Sequence, residues 1–361
     1  MQFTVVENVN MTAEDEEKDV FFIRLSYEGD QTYQAGDWLL FQPRNRPSLV
    51  DFVLKLLGLT GDEVFEVRRV GARPIRDALL ENFELTQLNP AILNRIQRQY
   101  GLDEWADRNE MMAYAEGRDI VDLLESFPQL CELGLEFCQM LSPLSPRYYS
   151  IASSMKGVPA RTVDLVYKKI VYEHSGRERF GVATCQLSDL AVGAVIEGDF
   201  CENKAFKLPE DLAHSQQPII MVGAGTGLAP YIGFIQELAA AGPGCLEHAW
   251  LFFGETYSDT SFLYKDQLLA WRSQGLNLFT AFSRDQAEKH YVQHLLWEQR
   301  ETVWKLLKAG GVFYLCGDKT RMAKQVEATI KEIMRTVGGL EDVDLDWKEW
   351  RRARKVQYDV Y

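Results

Sequence analysis

Several features that would assign this chain to a particular class of protein are missing from its sequence. No apolar run approaches the roughly 20 residues that a membrane-spanning helix needs. The N-terminal stretch MQFTVVENVNMTAEDEEKD lacks the basic and apolar segments of a secretory signal. Positive charge is scarce, with 39 Lys and Arg against 53 Asp and Glu, and the net charge of -14 argues against a nucleic-acid binder. We therefore expect a cytoplasmic protein that has no membrane span and binds no nucleic acid.

Cysteine pairs of the kind that bind metals are also missing. The 6 cysteines form no C-x-x-C pair and have no metal-ligand spacing with the 5 histidines, so we expect no metal site. These cysteines are predicted to be reduced and mostly buried thiols, as in cytosolic proteins: Cys131, Cys138, Cys185, Cys201, Cys245 and Cys316.

The first part of the chain contains segments whose apolar residues have the spacing of strands and segments whose apolar residues have the spacing of helices. Apolar alternation in VFFIRLSYE and YQAGDWLLFQP predicts strands before residue 45, and RYYSIASS, RTVDLVYKKIVYE and AVIEGDFCE predict strands again between 145 and 212. Between them, about 46–140, the spacing of apolar residues is helical, as in SLVDFVLKLLGL and NPAILNRIQRQYGL. We predict one antiparallel β-barrel domain over residues 1–212, with a helical insertion over about 46–140.

The second part of the chain has the pattern of an open parallel α/β sheet. The apolar segments PIIMVGAG, HAWLFFGE, NLFTAFSR and GVFYLCGD each precede a helical run. We therefore predict an α/β domain over residues 213–361, which makes the whole chain a two-domain protein of α+β and α/β class.

A glycine-rich turn follows the first strand of this second domain. In IIMVGAGTGLAPYIGFIQEL, an apolar strand runs into Gly223, Gly225, Thr226 and Gly227 and then into a helix. Glycines allow a pyrophosphate to approach the backbone, and the start of the helix stabilises its charge. The spacing departs from the usual dinucleotide fingerprint, and no acidic residue stands at a strand end about 20 positions later. A nucleotide loop and a turn without a ligand both remain open from this pattern.

Polar side chains also cluster behind the strand NLFT. Hydroxyl, guanidinium, ammonium, phenol and amide donors together suit a phosphate monoester beside a stacking ring, and they are Ser283, Arg284, Lys289, Tyr291 and Gln293. The alternative is a solvated, charged helix start. Beside the glycine loop, the cluster favours a 2′-phosphate and hence NADPH over NADH. Cys316 in YLCGD is either a small core residue or a thiol at the reaction centre.

These motifs together resemble a known family. RYYSIASS, GVATCQL, VGAGTGLAP, SRDQAEKHYVQ, YLCGD and the terminal YDVY occur in the order and spacing of the FAD/NADPH half of diflavin reductases, which are relatives of ferredoxin-NADP reductase. Within that family the chain most resembles the flavoprotein subunits of NADPH-sulfite reductase. The resemblance covers essentially the whole chain and implies FAD and NADPH as cofactors.

The resemblance also implies roles for individual residues. Arg147 would bind the FAD pyrophosphate, Tyr149 would stack on the isoalloxazine, and Ser150 would hydrogen-bond near flavin N5. On a strand Arg147 and Tyr149 point the same way, so one strand face would meet one FAD. Further FAD contacts are implied for Thr86, Tyr148, Tyr172, Gly181, Val182, Ala183, Thr184 and Tyr361. The predicted NADP contacts are Gly225, Thr226, Gly227, Ser283, Arg284, Lys289, Tyr291, Gln293, Cys316 and Gln325.

Four residues are implied in the reaction itself. Ser150 and Cys316 would steady the charge that changes at flavin N5 and nicotinamide C4, and Asp359 would either orient them or favour the positively charged nicotinamide. Tyr361 would cover the flavin face and move to admit the nicotinamide. The sequence departs from the sulfite reductase pattern at Ile232, where an arginine is usual, and at Gln325, where an aspartate is usual.

The resemblance predicts an enzyme, a stand-alone NADPH-dependent FAD oxidoreductase that passes electrons to a separate acceptor protein, which would be a flavodoxin or a protein with FMN, an iron-sulfur centre or haem. We expect no flavodoxin-like FMN module, which would need about 150 residues. The helical insertion would then either dock a separate carrier or only brace the barrel. The alternative function is a non-catalytic FAD- and NADPH-binding scaffold subunit of a larger redox complex.

Overall fold

The computed structural model describes residues 1–13, 16–212 and 215–361. In chain order the strands are β1 (Gln2–Asn10), β2 (Val20–Tyr27), β3 (Trp38–Phe41), β4 (Val64–Val67), β5 (Gly71–Pro74), β6 (Arg147–Ser150), β7 (Thr162–Lys168), β8 (Val171–His174), β9 (Arg177–Phe180), β10 (Val195–Cys201), β11 (Ile219–Ala224), β12 (Ala249–Glu255), β13 (Asn277–Phe282), β14 (Val312–Gly317) and β15 (Val356–Val360).

The α-helices are α1 (Pro47–Leu56), α2 (Ile75–Glu81), α3 (Pro90–Tyr100), α4 (Arg108–Ala115), α5 (Ile120–Ser126), α6 (Leu135–Cys138), α7 (Val182–Ser188), α8 (Ala229–Ala241), α9 (Lys265–Ser273), α10 (Val292–Glu298), α11 (Arg300–Lys308), α12 (Met322–Thr336) and α13 (Val343–Arg352). None of the helices in the described ranges is long and apolar enough to cross a membrane.

The chain divides into two compact units. The larger unit comprises Met1–Leu40, Tyr148–Lys168 and Ala191–Tyr361, and the smaller unit comprises Phe41–Arg147 and Lys169–Leu190. The boundary that the sequence predicted between 212 and 213 adjoins residues 213 and 214, which lie outside the described residues, and it stays a prediction.

An antiparallel sheet forms the first part of the larger unit. Its strand order is β6-β3-β10-β1-β2-β7, and the pairs β10·β1, β1·β2 and β2·β7 are antiparallel. Directly after β6, Ile151 forms a bridge with Leu165 of β7, so the two edges of the sheet meet. Closure of this kind removes unpaired edges, as in a β-barrel. The predicted antiparallel barrel is confirmed.

A parallel sheet with the order β13-β12-β11-β14-β15 forms the rest of the larger unit. Its central strand β11 is buried on both faces, because Ile219 and Met221 belong to one hydrophobic core while Ile220 and Val222 belong to another. A near-continuous apolar run is typical of a strand that is covered on both sides. The open parallel α/β sheet predicted from the sequence is therefore confirmed, and its β15 was not predicted.

The smaller unit is mainly helical and has its own core, which is built from buried side chains between Val50 and Leu141. Helix α3 lies within the predicted helical segment NPAILNRIQRQYGL. Asn89 accepts hydrogen bonds from the first helical N–H groups, and Gly101 ends the helix in a left-handed conformation. The expectation of helices alone over 46–140 was wrong in one place, where β4 and β5 form an antiparallel hairpin. Its VFEV strand is too short to stand out from a helical pattern.

Candidate active site

The carboxyl ends of the parallel strands carry most of the residues that the sequence singled out. Because all five strands run in the same direction, their ends lie along one edge of the sheet, where ligands bind in folds of this kind. Residues 225–227 follow β11, and residues 283 and 284 follow β13. Cys316 lies near the end of β14, directly opposite Asp359 of β15 in the sheet register.

The glycine-rich turn after β11 depends on missing side chains. Gly225 has a φ of 56°, a left-handed conformation that favours glycine. A Cβ atom on Gly227 would lie 2.3 Å from the carbonyl oxygen of Cys316, so this turn packs directly against the backbone of β14. Helix α8 begins two residues later with Pro230 in its first turn, leaving N–H groups at the turn. Such a turn fits the pyrophosphate of a dinucleotide.

Asp359 connects the two sheets of the larger unit. Its carboxylate accepts a hydrogen bond of 2.6 Å from the hydroxyl of Ser150, at the end of β6, and one of 2.9 Å from Nε1 of Trp38, in β3. The thiol of Cys316 lies 3.9 Å from the same carboxylate oxygen that Ser150 contacts. The structure thus brings together three of the predicted reaction residues, Ser150, Cys316 and Asp359, and it adds Trp38, which the sequence did not indicate.

Burial controls the protonation of this cluster. Asp359 is only 7% exposed, and burial raises its pKa above the ordinary value, while the hydrogen bonds from Ser150 and Trp38 oppose the rise. Burial also raises the pKa of the Cys316 thiol far above its ordinary value, and the neighbouring Asp359 raises it further. Cys316 therefore remains an uncharged thiol at neutral pH, which suits a polar contact and not a nucleophile.

Tyr361 follows β15 directly and is fixed by its main chain. Its N–H donates to the carbonyl of Gly317, and its own carbonyl accepts from the N–H of Lys319. The phenol oxygen lies 2.8 Å from the hydroxyl of Thr226 in the glycine turn, and the residue is 62% exposed. The structure therefore brings Tyr361 beside one of the predicted NADP contacts.

The predicted phosphate cluster lies at the ends of β12 and β13. The N–H of Ser283 donates to the carbonyl of Glu255, and the N–H of Arg284 donates to the carbonyl of Thr256, so both residues are held by the neighbouring strand end. The guanidinium of Arg284 forms a 2.7 Å ion pair with Glu17. Lys289 is exposed. A guanidinium and an ammonium within one short segment after β13 fit a phosphate group.

The remaining residues of that cluster are on helices. Tyr291 precedes α10 and is 39% exposed, which leaves its ring open to a stacking partner. The amide of Gln293 donates to the side chain of Gln325, at 3.1 Å, so these two predicted contacts meet each other. Ile232 is buried in the hydrophobic core of the larger unit. An arginine at this position would have to bury its charge among apolar side chains, which is unfavourable.

In the smaller unit one carboxylate connects two predicted FAD contacts. Glu84 accepts hydrogen bonds from the N–H and the hydroxyl of Thr86, at 2.9 and 2.6 Å, and its other oxygen forms a 2.7 Å ion pair with Arg147. Glu84 lies two residues before Thr86 in the sequence FELT, and of this stretch only the threonine was predicted as a contact. Arg147 also donates to the carbonyl of Ser145, at 2.6 Å.

The segment Gly181–Thr184 forms the start of α7, with Gly181 at the N-cap position. The hydroxyl of Thr184 accepts a hydrogen bond of 3.1 Å from the N–H of Ile170, and a Cβ atom on Gly181 would lie 2.5 Å from that hydroxyl. Tyr172 donates through its hydroxyl to the carbonyl of Gly117, at 3.3 Å, and is 38% exposed. The predicted contacts Val182 and Ala183 are buried within this short helix.

A cavity of about 210 Å³ opens in the smaller unit. Two predicted FAD contacts, Thr86 and Val182, are among its lining residues. Arg46 also lines the cavity, and its guanidinium lies 4.0 Å from the centre of the Phe180 ring. A cavity with a guanidinium, a flat ring and a threonine hydroxyl fits part of a dinucleotide such as FAD.

The chain is similar to known oxidoreductases. Residues 221–328 match a family model described as an oxidoreductase NAD-binding domain. Proteins named sulfite reductase (NADPH) flavoprotein alpha-component are similar to the chain along nearly its whole length. The one from Bacillus subtilis is 35% identical over 370 residues, and this alignment covers 99% of the chain and 60% of that protein. The one from Neisseria meningitidis serogroup A is 36% identical over 373 residues, covering 99% of the chain and 59% of the relative.

By these similarities the chain resembles a reductase module of the ferredoxin-NADP reductase-like type. The corresponding protein from Vibrio cholerae is 36% identical over 362 residues, which cover 97% of the chain and 58% of the relative. The reductase module therefore spans about three fifths of the length of the curated relatives that it matches. The family resemblance expected from the ordered motifs is confirmed.

Some polar residues of this reductase module were missed by sequence reasoning. Trp38 and Glu84 lie far along the chain from their partners Asp359 and Arg147, and no local motif marks the pairing. Glu255 could have been identified from the sequence, because it ends HAWLFFGE, a segment that predicts a strand of the parallel sheet. It is 6% exposed, and the ammonium of Lys18 contacts it.

Proposed function

We propose that this chain is an NADPH-dependent FAD oxidoreductase, which transfers a hydride from NADPH to FAD and then passes electrons to a separate acceptor protein. The observation that carries this proposal is the Asp359 cluster. A buried carboxylate holds a serine hydroxyl and lies beside a thiol, at the edge of a parallel sheet that ends in a nucleotide-type turn. The two bound cofactors supply the redox chemistry, and the protein binds and orients them.

The nucleotide would be held by two kinds of group. Arg284 and Lys289 would bind the 2′-phosphate, since a guanidinium and an ammonium form strong hydrogen bonds with its oxygens. The backbone of Gly225, Thr226 and Gly227 would bind the pyrophosphate. The name of the relatives specifies NADPH, which agrees with a preference for the phosphorylated dinucleotide.

FAD contacts are proposed for Arg147, for the start of α7, for two residues that line the cavity and for three tyrosines. Arg147, oriented by Glu84, would bind the FAD pyrophosphate together with the start of α7. Thr86 and Val182 would contact it in the cavity of the smaller unit, and Tyr148, Tyr149 and Tyr172 would provide aromatic surface.

The chain's own residues have three tasks at the reaction centre. Asp359 holds the Ser150 hydroxyl in one orientation, so that this hydroxyl can serve as a hydrogen-bond partner for a group whose charge changes during the reaction. Cys316 adds an uncharged, polarisable contact beside it. Tyr361 would exclude water from the site with its ring and move aside for the nicotinamide, and its exposure agrees with that task.

The electron acceptor would be a separate protein that contains flavin, an iron-sulfur centre or haem. Support comes from the relatives, whose name describes them as one component of sulfite reductase. The chain would supply the reductase activity of such a pair in the cytoplasm.

Reduction of bound flavin by NADPH tests the proposal. The intact protein should be yellow, and its flavin absorbance should fall when it is mixed with NADPH in an anaerobic stopped-flow instrument. The Ser150→Ala variant should keep its flavin and lose at least about tenfold in the reduction rate, which corresponds to about 1.4 kcal/mol. The control is Ser273→Ala, since Ser273 is exposed on α9 and, among the described residues, its hydroxyl donates only to Ala270 in that helix.

Two results would contradict the proposal. A colourless protein that takes up no FAD would remove the flavin from the function. A yellow protein that binds NADPH without any flavin reduction would show the alternative, a non-catalytic scaffold subunit of a redox complex.

A further inference from the structure

A short acidic and basic segment between β1 and β2 lies against the carboxyl edge of the parallel sheet. The consecutive side chains Glu16, Glu17 and Lys18 each contact a residue there. The three contacts are between Glu16 and Thr260, between Glu17 and Arg284 at 2.7 Å, and between Lys18 and Glu255. All six residues belong to the larger unit. The segment is therefore attached at the ends of the strands that the nucleotide would contact.

Glu17 pairs with Arg284, the residue that would bind the 2′-phosphate in the proposed function. The side chain of Arg284 is 36% exposed and that of Glu17 is 74% exposed, so water can reach both charges. The hydrogen bond to Glu17 raises the pKa of the Arg284 guanidinium, which is therefore charged at every pH of interest. The main chain of Arg284 is held separately through Thr256, so loss of Glu17 would leave the arginine in place.

The two cations of the predicted phosphate cluster differ in this respect. Within the described residues Lys289 forms no ion pair, whereas Arg284 has its carboxylate partner. A carboxylate carries one negative charge and offers two oxygens to a guanidinium. A phosphate monoester carries a charge of about -1.5 to -2 with three oxygens and makes the same contact more strongly.

We propose that Glu17 is a specificity-determining residue, whose carboxylate occupies the Arg284 guanidinium and must be displaced by the 2′-phosphate of NADPH. This inference rests on the proposed function, and in particular on Arg284 as a phosphate ligand. A nucleotide without the 2′-phosphate gains nothing from displacing Glu17. The glutamate therefore lowers the affinity for phosphorylated nucleotides selectively, and it sets how strongly the site prefers them.

Titration with nucleotide fragments tests this inference without any redox step. The intact protein is titrated by calorimetry with adenosine 2′,5′-bisphosphate and with 5′-AMP. The Glu17→Gln variant should bind the bisphosphate about two- to fivefold more tightly than the wild type, as expected for loss of an exposed ion pair. Its affinity for 5′-AMP should not change.

Two controls isolate the ion pair. The Glu16→Gln variant removes the same charge one residue away, from a side chain that contacts Thr260, and it should change the bisphosphate affinity by less than the Glu17→Gln variant does. In an Arg284→Gln background, the Glu17→Gln substitution should have no effect on the bisphosphate affinity, because the ion pair between residues 17 and 284 is already absent. An equal gain from Glu16→Gln, or a gain that persists without Arg284, would overturn the inference and indicate only a general charge effect.

The possible failures are distinguishable. If the wild type prefers the bisphosphate and Glu17→Gln does not alter that preference, the inference is wrong and the proposed function stands. If the wild type binds both fragments equally, Arg284 is not a phosphate ligand, and the NADPH preference and the inference fail together. If the preference and its change are both observed but NADPH does not reduce the flavin, the proposed catalytic function alone fails.

Discussion

Replacement of Asp359 by asparagine should stabilise the protein at neutral pH while it slows the reaction. Asparagine has nearly the shape of a protonated aspartic acid, so its oxygen can still accept from Trp38 and its amide can face the Ser150 hydroxyl. The substitution thus keeps the packing of a residue that is 7% exposed and removes the buried negative charge. The question is whether that charge helps or opposes folding.

The direction of the pKa shift answers this question. Burial is the largest effect on Asp359, and its pKa is raised despite the opposing hydrogen bonds. A carboxyl with a raised folded pKa favours the folded state most when it is protonated, below its unfolded pKa of about 3.9. That contribution is lost as the pH rises through the folded pKa. Each unit of the shift corresponds to about 1.4 kcal/mol.

The Asp359→Asn variant should therefore match the wild type below about pH 4. It should then exceed the wild-type stability by about 1.4 kcal/mol for each unit by which the pKa is raised, once the pH is above the folded pKa. Urea unfolding of both proteins in steps from pH 4 to pH 8, at constant ionic strength, measures the difference directly. In stopped-flow experiments the variant should reduce its flavin about tenfold more slowly, because the serine hydroxyl loses its anionic partner.

A control of opposite sign is present in α13. The exposed Asp344 has a lowered pKa because of its hydrogen bond to Lys331, so Asp344→Asn should lose stability relative to the wild type as the pH rises above about 4. A stability difference for Asp359→Asn that is independent of pH, or that favours the wild type as the pH rises, would refute the reasoning. It would mean that the hydrogen bonds from Ser150 and Trp38 lower the pKa of Asp359 by more than burial raises it.

Three further predictions concern the glycine turn, the Glu84 carboxylate and the terminal tyrosine. Gly227→Ala should lower the free energy of unfolding by about 2 to 4 kcal/mol, because its Cβ would lie 2.3 Å from the Cys316 carbonyl oxygen; chemical denaturation measures this. Glu84→Gln should lower it by about 2 kcal/mol, because the half-buried Arg147 loses a charge-assisted partner. Deletion of Tyr361 should relax the discrimination against NADH, measured as the ratio of kcat/KM for the two nucleotides.

Matched variants accompany these predictions. Gly254→Ala should change stability little, since the nearest atoms to its Cβ would be 3.5 Å away, and an equal loss would exclude a specific clash at the turn. Glu125→Gln, at an exposed position on α5, should leave the free energy of unfolding unchanged, and a similar loss there would rule out the Arg147 pair as the cause. Tyr361→Phe keeps the ring and should retain most of the discrimination; unchanged kinetics after the deletion would remove Tyr361 from the site.

The sequence predicted those parts of the fold whose signals are local. The apolar run of β11 followed by the glycine turn and α8, and the helical spacing of apolar residues in α3, are defined by neighbouring residues. Long-range polar contacts have no such signal: Trp38 meets Asp359 across 321 positions of the chain. Strand β15 was missed because VQYDV is short and lies at the sheet edge, where only one neighbour fixes its register.

The position of β15 at the edge of the sheet also determines how easily denaturant disrupts the site. Among the strands that the structure describes, β15 pairs with β14 alone, and it carries the carboxylate that joins Ser150, Trp38 and Cys316. Detachment of β15 would remove the Asp359 carboxylate from all three groups, while the pairing of β13, β12, β11 and β14 stayed intact. Local opening of an edge element requires less free energy than global unfolding. Activity should therefore disappear at lower denaturant concentrations than the secondary structure, and amide hydrogens of β15 should exchange before those of β11.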